Sequence, residues 1–318
     1  MAKKSKSRYG SLQFWPRKRA RKFLPRVNWD ILKSDKTGLL GFISYKVAMV
    51  SCSLSDKTSD SLTKDKKIII PCTILECPDM RIFSVRFYKY KKVVSDVIVS
   101  NDKKLKKLLK LPKEVKKIED MKEDYDDISV IVYSKSFDTN IKNKVDLTEI
   151  GLSGNKEDKL KFIKDNLNKD ISIGSFIPGL EENLVDVRGL TRGKGFSGPV
   201  KRFGIGLRQH KSEKGVRKVG SIGPWHPARV SFRVPMAGQL GMFTRISYNK
   251  KIILSGKISE NNINPEEGFK KFGKIKNNYL ILKGSIQGPS KRQVLLTKAL
   301  RPTKKQKKLN YEFLGIEK

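Results

Sequence analysis

The run GLLGFISYKVAMV, Gly38–Val50, decides the fold class. Apolar, β-branched and aromatic residues dominate it, which is the composition of a strand. KIIIPCTIL (Lys67–Leu75) and RIFSVRFYKY (Arg81–Tyr90) repeat that character, so residues 38–90 read as a β-rich domain and not as a βαβ repeat. Between the first two runs, Ser51–Asp65 is polar and reads as a mobile loop.

Further along, residues 91–172 change character. Fifteen of the chain's 32 acids lie from Asp102 to Asp170 against seventeen lysines, and no arginine occurs there. Arginine supplies the planar fork that suits phosphates and base edges. A stretch without it reads as a solvent-facing α+β insertion. Lys103–Leu111 and Lys156–Leu167 have helical spacing, the second behind Ser153 and Asn155 as caps. Ile128–Tyr133 reads as a buried strand. Acidic pairs such as Glu123/Asp124 and Asp126/Asp127 sit among lysines and read as a solvated face.

Strand character returns over 173–191, with alternation in LVDVR (Leu184–Arg188), and again over 243–290, at Phe243–Ile258 and Tyr279–Ile286. A β domain that resumes after an insertion suits a barrel or a sandwich, and composition does not choose between them. Residues 1–37 form a basic extension. Its first 26 residues hold ten Lys/Arg and no acid, with Tyr9, Phe14, Trp15 and Phe23 interleaved. It reads as extended chain that orders only on a polyanion. Within 291–318, Arg292–Lys308 reads as a second basic tail.

The chain's 318 residues suffice for about two domains. Its 69 Lys+Arg against 32 Asp+Glu give a formal charge of +37. Self-repulsion of that size disfavours a compact enzyme and favours a nucleic-acid partner. No run approaches the roughly 18 apolar residues of a spanning helix, and the basic N-terminus lacks an apolar segment behind it, so no membrane partner is expected. Cys52, Cys72 and Cys77 read as reduced, buried small residues. A zinc site would need a fourth ligand, and both histidines are far away in sequence, so no metal is expected.

Residues 187–259 concentrate the charge: their only acid is Glu213, and eleven of the chain's 24 glycines fall from Gly189 to Gly241. Like charges cannot neutralise one another in a core, and glycines let backbone approach a polyanion. GKGFSG (Gly193–Gly198) matches the dinucleotide-binding pattern and follows a strand. That pattern needs an amphipathic helix next, whereas Pro199 and a basic run follow, so no cofactor is expected. The amides and lysines of a loop suit backbone phosphates better. Trp225 sits between Pro224 and Pro227 among charges, a place for a base-stacking or loop-bracing residue and not for core. His226 and nearby Ser221 have no carboxylate to orient them, and His210 is equally unsupported as a catalyst.

GPVKRFG (Gly198–Gly204), RKVGSIGPWHPARV (Arg217–Val230) and AGQLG (Ala237–Gly241) resemble the signature of the large-subunit ribosomal protein L-three family, in its archaeal–eukaryotic form. RYGSL (Arg8–Leu12) and PRKRA (Pro16–Ala20) resemble that branch too. The chain stops at Lys318 without the longer tail common in eukaryotic members, which favours an archaeal source. The resemblance implies a mainly β fold: a six-stranded translation-protein-type β-barrel with an α+β insertion, an extended loop over 192–242 and basic tails. It implies binding to the 3′ region of large-subunit rRNA, with the loop reaching the peptidyl transferase vicinity, Trp225 near its tip, and an early role in assembly. Gln239 matches a glutamine methylated in bacterial relatives.

The expected function is therefore a cytoplasmic, structural rRNA-binding protein with neighbouring large-subunit proteins as partners, no small-molecule substrate and no catalytic residue. Expected rRNA contacts are Arg188, Arg192, Lys194, Lys201, Arg202, Arg208, His210, Arg217, Lys218, Trp225, His226, Arg229, Arg233, Gln239 and Arg245. Arg8, Arg17, Lys18, Arg19 and Arg21 join them from the N-terminal extension, and Arg292 and Arg301 from the C-terminal tail. Two rivals remain on sequence alone. An RNA-modifying enzyme with a basic substrate groove would show turnover. A DNA-compacting protein would prefer duplex DNA to rRNA fragments, whereas a long aromatic-tipped loop suits irregular RNA.

Overall fold

The computed structural model describes residues 9–32, 37–113, 115, 118, 124–139, 141–180 and 183–317. In chain order the strands are β1 Gly38–Leu39, β2 Gly41–Asp56, β3 Lys67–Cys77, β4 Met80–Lys89, β5 Lys92–Ile98, β6 Asp127–Ser134, β7 Leu147–Ser153, β8 Leu184–Leu190, β9 Phe196–Ser197, β10 Gly238–Gln239, β11 Thr244–Lys257, β12 Asn278–Lys283, β13 Gln293–Lys298 and β14 Tyr311–Glu317. The helices α1 Lys156–Asp165, α2 Ile173–Phe176, α3 Pro199–Phe203 and α4 Lys304–Lys308 are short. The protein is mainly β, as its apolar runs predict. It divides into two compact units: residues up to Phe23 with Leu190–Arg245, and Leu24–Gly189 with the chain from Ile246 onward.

The larger unit holds two sheets. One runs β13-β8-β11-β12-β3-β2-β14, and β13 also pairs with β2. β2 carries this arrangement because it is long and has buried residues on both faces over Gly41–Val47. Along one edge it pairs with β3 from Tyr45 to Ser55. Along the other it meets β13 over Gly41–Tyr45 and then β14 over Ser51–Asp56. A bulge between Lys46 and Ala48 lies where the partner changes, and such a bulge bends and re-aims a strand. Phe42, Ile43, Val185, Val187, Leu280, Leu282, Val294 and Leu296 fill one buried cluster, and Cys52, Leu54, Cys72, Ile74, Tyr279 and Ile281 another. All three cysteines are free and buried.

The second sheet runs β1-β7-β6-β4-β5, with α1 contributing buried Ile163 to the core. Asn155 opens α1 with a capping box to Asp158. Sequence grouped Arg81–Tyr90 with the preceding strands, but β4 pairs with β5 and β6 and so belongs here. Pro78 and Asp79 separate it from β3 without any change in apolar character, which leaves composition no signal.

Three more expectations are corrected. Ser51–Asp56 is strand, not loop: Cys52 and Leu54 enter a buried cluster and the serines alternate with them along the strand, Ser53 buried too, so the polar serines hide a period of two. The rest of that segment is tied to Asp56, which accepts the Thr58 N–H at 3.0 Å, Ser61 Oγ at 2.7 Å and Thr63 Oγ1 at 2.6 Å. Lys103–Lys107 is a single 3-10 turn capped by Asp102, and Pro112 closes off any extension. Arg292–Lys308 is not a tail: Val294, Leu295, Leu296 and Thr297 of β13 have no exposure, and flanking cations masked that short apolar run.

Candidate nucleic-acid interface

The smaller unit is built around Phe203. Pro199, with its fixed φ, starts α3, and Gly204 ends it at φ 71°, where its N–H bonds Val200 O. Phe203 is the buried residue of that turn. Trp15 stacks on it with ring centroids 6.0 Å apart and planes 27° apart, and Phe232 meets Trp15 edge-on at 5.8 Å. The guanidinium carbons of Arg17 and Arg202 lie 4.3 and 5.1 Å from the Phe203 centroid. The N-terminal segment, expected as extended chain, thus folds onto the loop through the aromatics interleaved in it.

Arg202 is the clamp of this arrangement. Its Nε donates to Gln239 O at 3.0 Å, Nη1 to Met236 O at 2.9 Å and Ala237 O at 3.4 Å, and Nη2 to Arg17 O at 3.3 Å. Arg17 Nη1 returns a bond to Arg202 O at 2.6 Å. Burial pulls the Arg202 and Arg245 pKa values downward. Beside the clamp, β9 and β10 pair Ser197 with Gly238 and Phe196 with Gln239. Lys194 N–H donates to Leu240 O and Leu240 N–H to Gly195 O, each at 2.9 Å. Gly241, at φ 79°, has no room for a side chain, since a Cβ there would lie 2.0 Å from Arg192 O.

The expected contact residues therefore separate by role. Arg192, Lys194, Lys201, His210, Arg217, Lys218, Trp225, His226, Arg229 and Arg233 are exposed, as are Lys18, Arg19 and Arg21. Trp225 is 88% exposed, which rules out a core role. Lys194, Lys201 and Arg217 surround one shallow pocket with Phe196, Ser197 and Gly198. Arg17 and Arg202 face the chain itself, as does Gln239, whose Nε2 donates to Leu240 O and Gly241 O at 3.1 Å each. Arg208 donates to Val219 O and so braces its own turn. Arg245 lies over the Phe14 ring at 4.0 Å.

In the larger unit, Arg188 is half-buried, with Nε donating to Thr297 Oγ1 at 3.1 Å, and burial lowers its pKa. Arg292 is half-buried and Arg301 exposed. Arg8 lies outside the described residues.

The unit's charge follows from its composition. One acid, Glu213, stands among the cations of 187–259, so the segment cannot neutralise itself. The dinucleotide pattern at Gly193–Gly198 leads only into the five-residue α3, and β8 before it pairs antiparallel with β13, so the parallel βαβ context is missing. Ser221 Oγ donates to Gly223 O at 3.3 Å, not to a histidine. Sequence reasoning missed the Phe203 centre. Its only trace was the aromatic spacing at Phe14 and Trp15, which carries no record of a partner nearly 190 positions away.

The profile of the family described as Ribosomal protein L3 matches residues 1–97 and 87–313. The chain is 39% identical to the large ribosomal subunit protein uL3 of Methanococcus aeolicus, over 94% of this chain and 92% of that protein. It is 38% identical to uL3 of Methanosphaera stadtmanae, over 96% and 95% of the two chains. Against uL3 of Archaeoglobus fulgidus the identity is 35%, over 93% and 92%.

Proposed function

Because the chain belongs to the ribosomal protein L3 family, we propose that it is a structural constituent of the large ribosomal subunit, an rRNA-binding cytoplasmic protein and not an enzyme. Residues 192–242 are its RNA-penetrating element and head for the peptidyl transferase vicinity. The exposed cations there neutralise phosphates, Trp225 offers its ring at the tip, and neighbouring subunit proteins pack elsewhere. Binding to the 3′ region of the rRNA gives the protein its early place in subunit assembly. The observation that carries this is the division of labour inside the arm. Arg202, Arg17, Arg208 and Gln239 are spent on holding its shape, while Arg192, Lys194, Lys201, Arg217, Lys218, Arg229 and Arg233 are exposed, with one carboxylate in the segment.

The larger unit's first sheet is the six-stranded barrel of this reading. The circuit β2-β3-β12-β11-β8-β13 and back to β2 supports it, because a sheet whose last strand pairs with its first has no free edge. β14 is then an appendage on the outer half of β2.

Three measurements test the proposal. The endogenous chain is expected to sediment with the large subunit; its absence there ends the proposal. Trp225→Ala is expected to change the stability of the purified protein by less than about 0.5 kcal/mol, as an exposed substitution should, while subunit assembly or translation suffers. A Trp225→Ala protein that unfolds many degrees early would make the ring structural. Replacing Lys194, Lys201 and Arg217 together by glutamine is expected to reduce the slope of log K against log salt for rRNA fragments by roughly 2–3, one phosphate per cation. An unchanged slope would remove the pocket from the interface.

A further inference from the structure

Phe196 lies in β9 with its side chain in solvent. It is 81% exposed while the next residue, Ser197, is buried, as alternate positions of a strand face opposite ways. The ring and Gly198 line a shallow pocket of about 320 Å³ together with Lys194, Lys201 and Arg217, all of them exposed. Glu213 is the one acid in the sequence of this unit, so these cations stand in a field of their own sign. Gly198 keeps the pocket open without being required by the fold. A Cβ there would meet nothing within 4 Å, and its φ of −66° and ψ of 163° suit any residue that precedes a proline. Neither backbone strain nor packing inside the chain explains the glycine, whereas a ligand seated against it does.

From this we infer that the pocket takes one unpaired nucleotide of the large-subunit rRNA. Its base stacks on Phe196, and Lys194, Lys201 and Arg217 hold the phosphates on either side of it. Phosphates alone would satisfy the cations and leave the ring in water. A duplex offers this pocket only phosphates, because its bases are stacked inside the helix. An unpaired nucleotide presents a π face and negative charge together, which is the combination of groups lining the pocket. The volume lies at the low end of the roughly 300–1,000 Å³ of ligand pockets, which gives room for a base and not for a helix. The inference rests on the rRNA-binding function proposed above and adds the form of RNA that this pocket binds.

The test uses large subunits assembled with the full chain carrying benzoylphenylalanine, a photo-crosslinker that keeps an aromatic ring, at position 196. The expected product on irradiation is a crosslink to one rRNA nucleotide that chemical probing finds unpaired. In subunits with Phe196→Ala, acylation of that nucleotide's 2′-hydroxyl is expected to rise roughly tenfold, the loss of one base–aromatic stack. Phe196→Trp keeps the parent's low reactivity. Gly198→Leu, which fills the pocket and leaves the ring and the three cations in place, gives the same rise as Phe196→Ala. Both purified variants are expected to melt with the parent chain, and early melting of both would make the site structural and end the inference. A crosslink to a base-paired nucleotide, to a protein or to nothing, or acylation unchanged by either variant, overturns the nucleotide pocket. With the chain present in the subunit, any of these leaves the proposed function standing. A chain absent from the subunit overturns both.

Discussion

Arg202→Ala is expected to loosen the root of the arm by about 3 kcal/mol, since a charge-assisted hydrogen bond contributes roughly 1.5–3 kcal/mol and several are lost together. From the start of the loop, the guanidinium gathers Gln239 O, Met236 O and Ala237 O at the loop's far end and Arg17 O in the N-terminal segment. It also lies over Phe203, so its removal uncovers the ring. Limited proteolysis within residues 205–235 gives the readout. Local opening limits cleavage there, so about 3 kcal/mol corresponds to cutting roughly a hundredfold faster. Arg202→Lys should restore only a fraction, because an ammonium cannot span carbonyls that a planar fork reaches in three directions. Equal cleavage rates for the parent chain and Arg202→Ala would show that the clamp bears no load.

Glu76→Gln is expected to stabilise the protein at pH 8 by about 3 kcal/mol and to leave it unchanged near pH 4.5. Glu76 sits on β3 with no exposure, between Tyr45 and Tyr279 on the flanking strands. Burial pushes its carboxyl up to about 7, and the N–H groups of Lys276 and Asn277, at 2.9 and 3.3 Å, offset only part of that. A pKa raised on folding means that the folded protein holds a proton the unfolded chain releases. The associated stability is full below the unfolded value near 4.5 and is lost as pH rises through about 7. Glutamine keeps the acceptor for Lys276 and Asn277 and cannot ionise. Urea midpoints of both proteins at pH 5 and pH 8 give the comparison. A difference that does not grow with pH would mean that Glu76 ionises freely in the fold.

Much of this was legible in the sequence, for identifiable reasons. β2, β3, β6 and β8 announce themselves because their cores are contiguous or alternate with period two, a local signal. The exposed arm was legible because charge cannot be hidden: one acid among so many cations demands an external anion. What escaped was non-local. Nothing in RIFSVRFYKY tells β4 to leave β3 for β6, since either sheet buries the same side chains. β13 was lost between Arg292 and the lysines after it, because its burial depends on β2 and β8 closing over it. Arginine marked phosphate contacts by chemistry, yet Arg17 and Arg202 spend the same planar fork on carbonyls of their own chain.

The partner change along β2 has a consequence for how the protein is made. The residue opposite Tyr45 in β13 is Gln293, so the two must meet across about 250 intervening positions. Until then one margin of β2 stays open, first where β13 will seat and then where β14 will, and an open apolar strand invites the wrong neighbour. During synthesis one edge of Gly41–Asp56 therefore stays unpaired until β13 and β14 have emerged, although β3 can cover the other edge early.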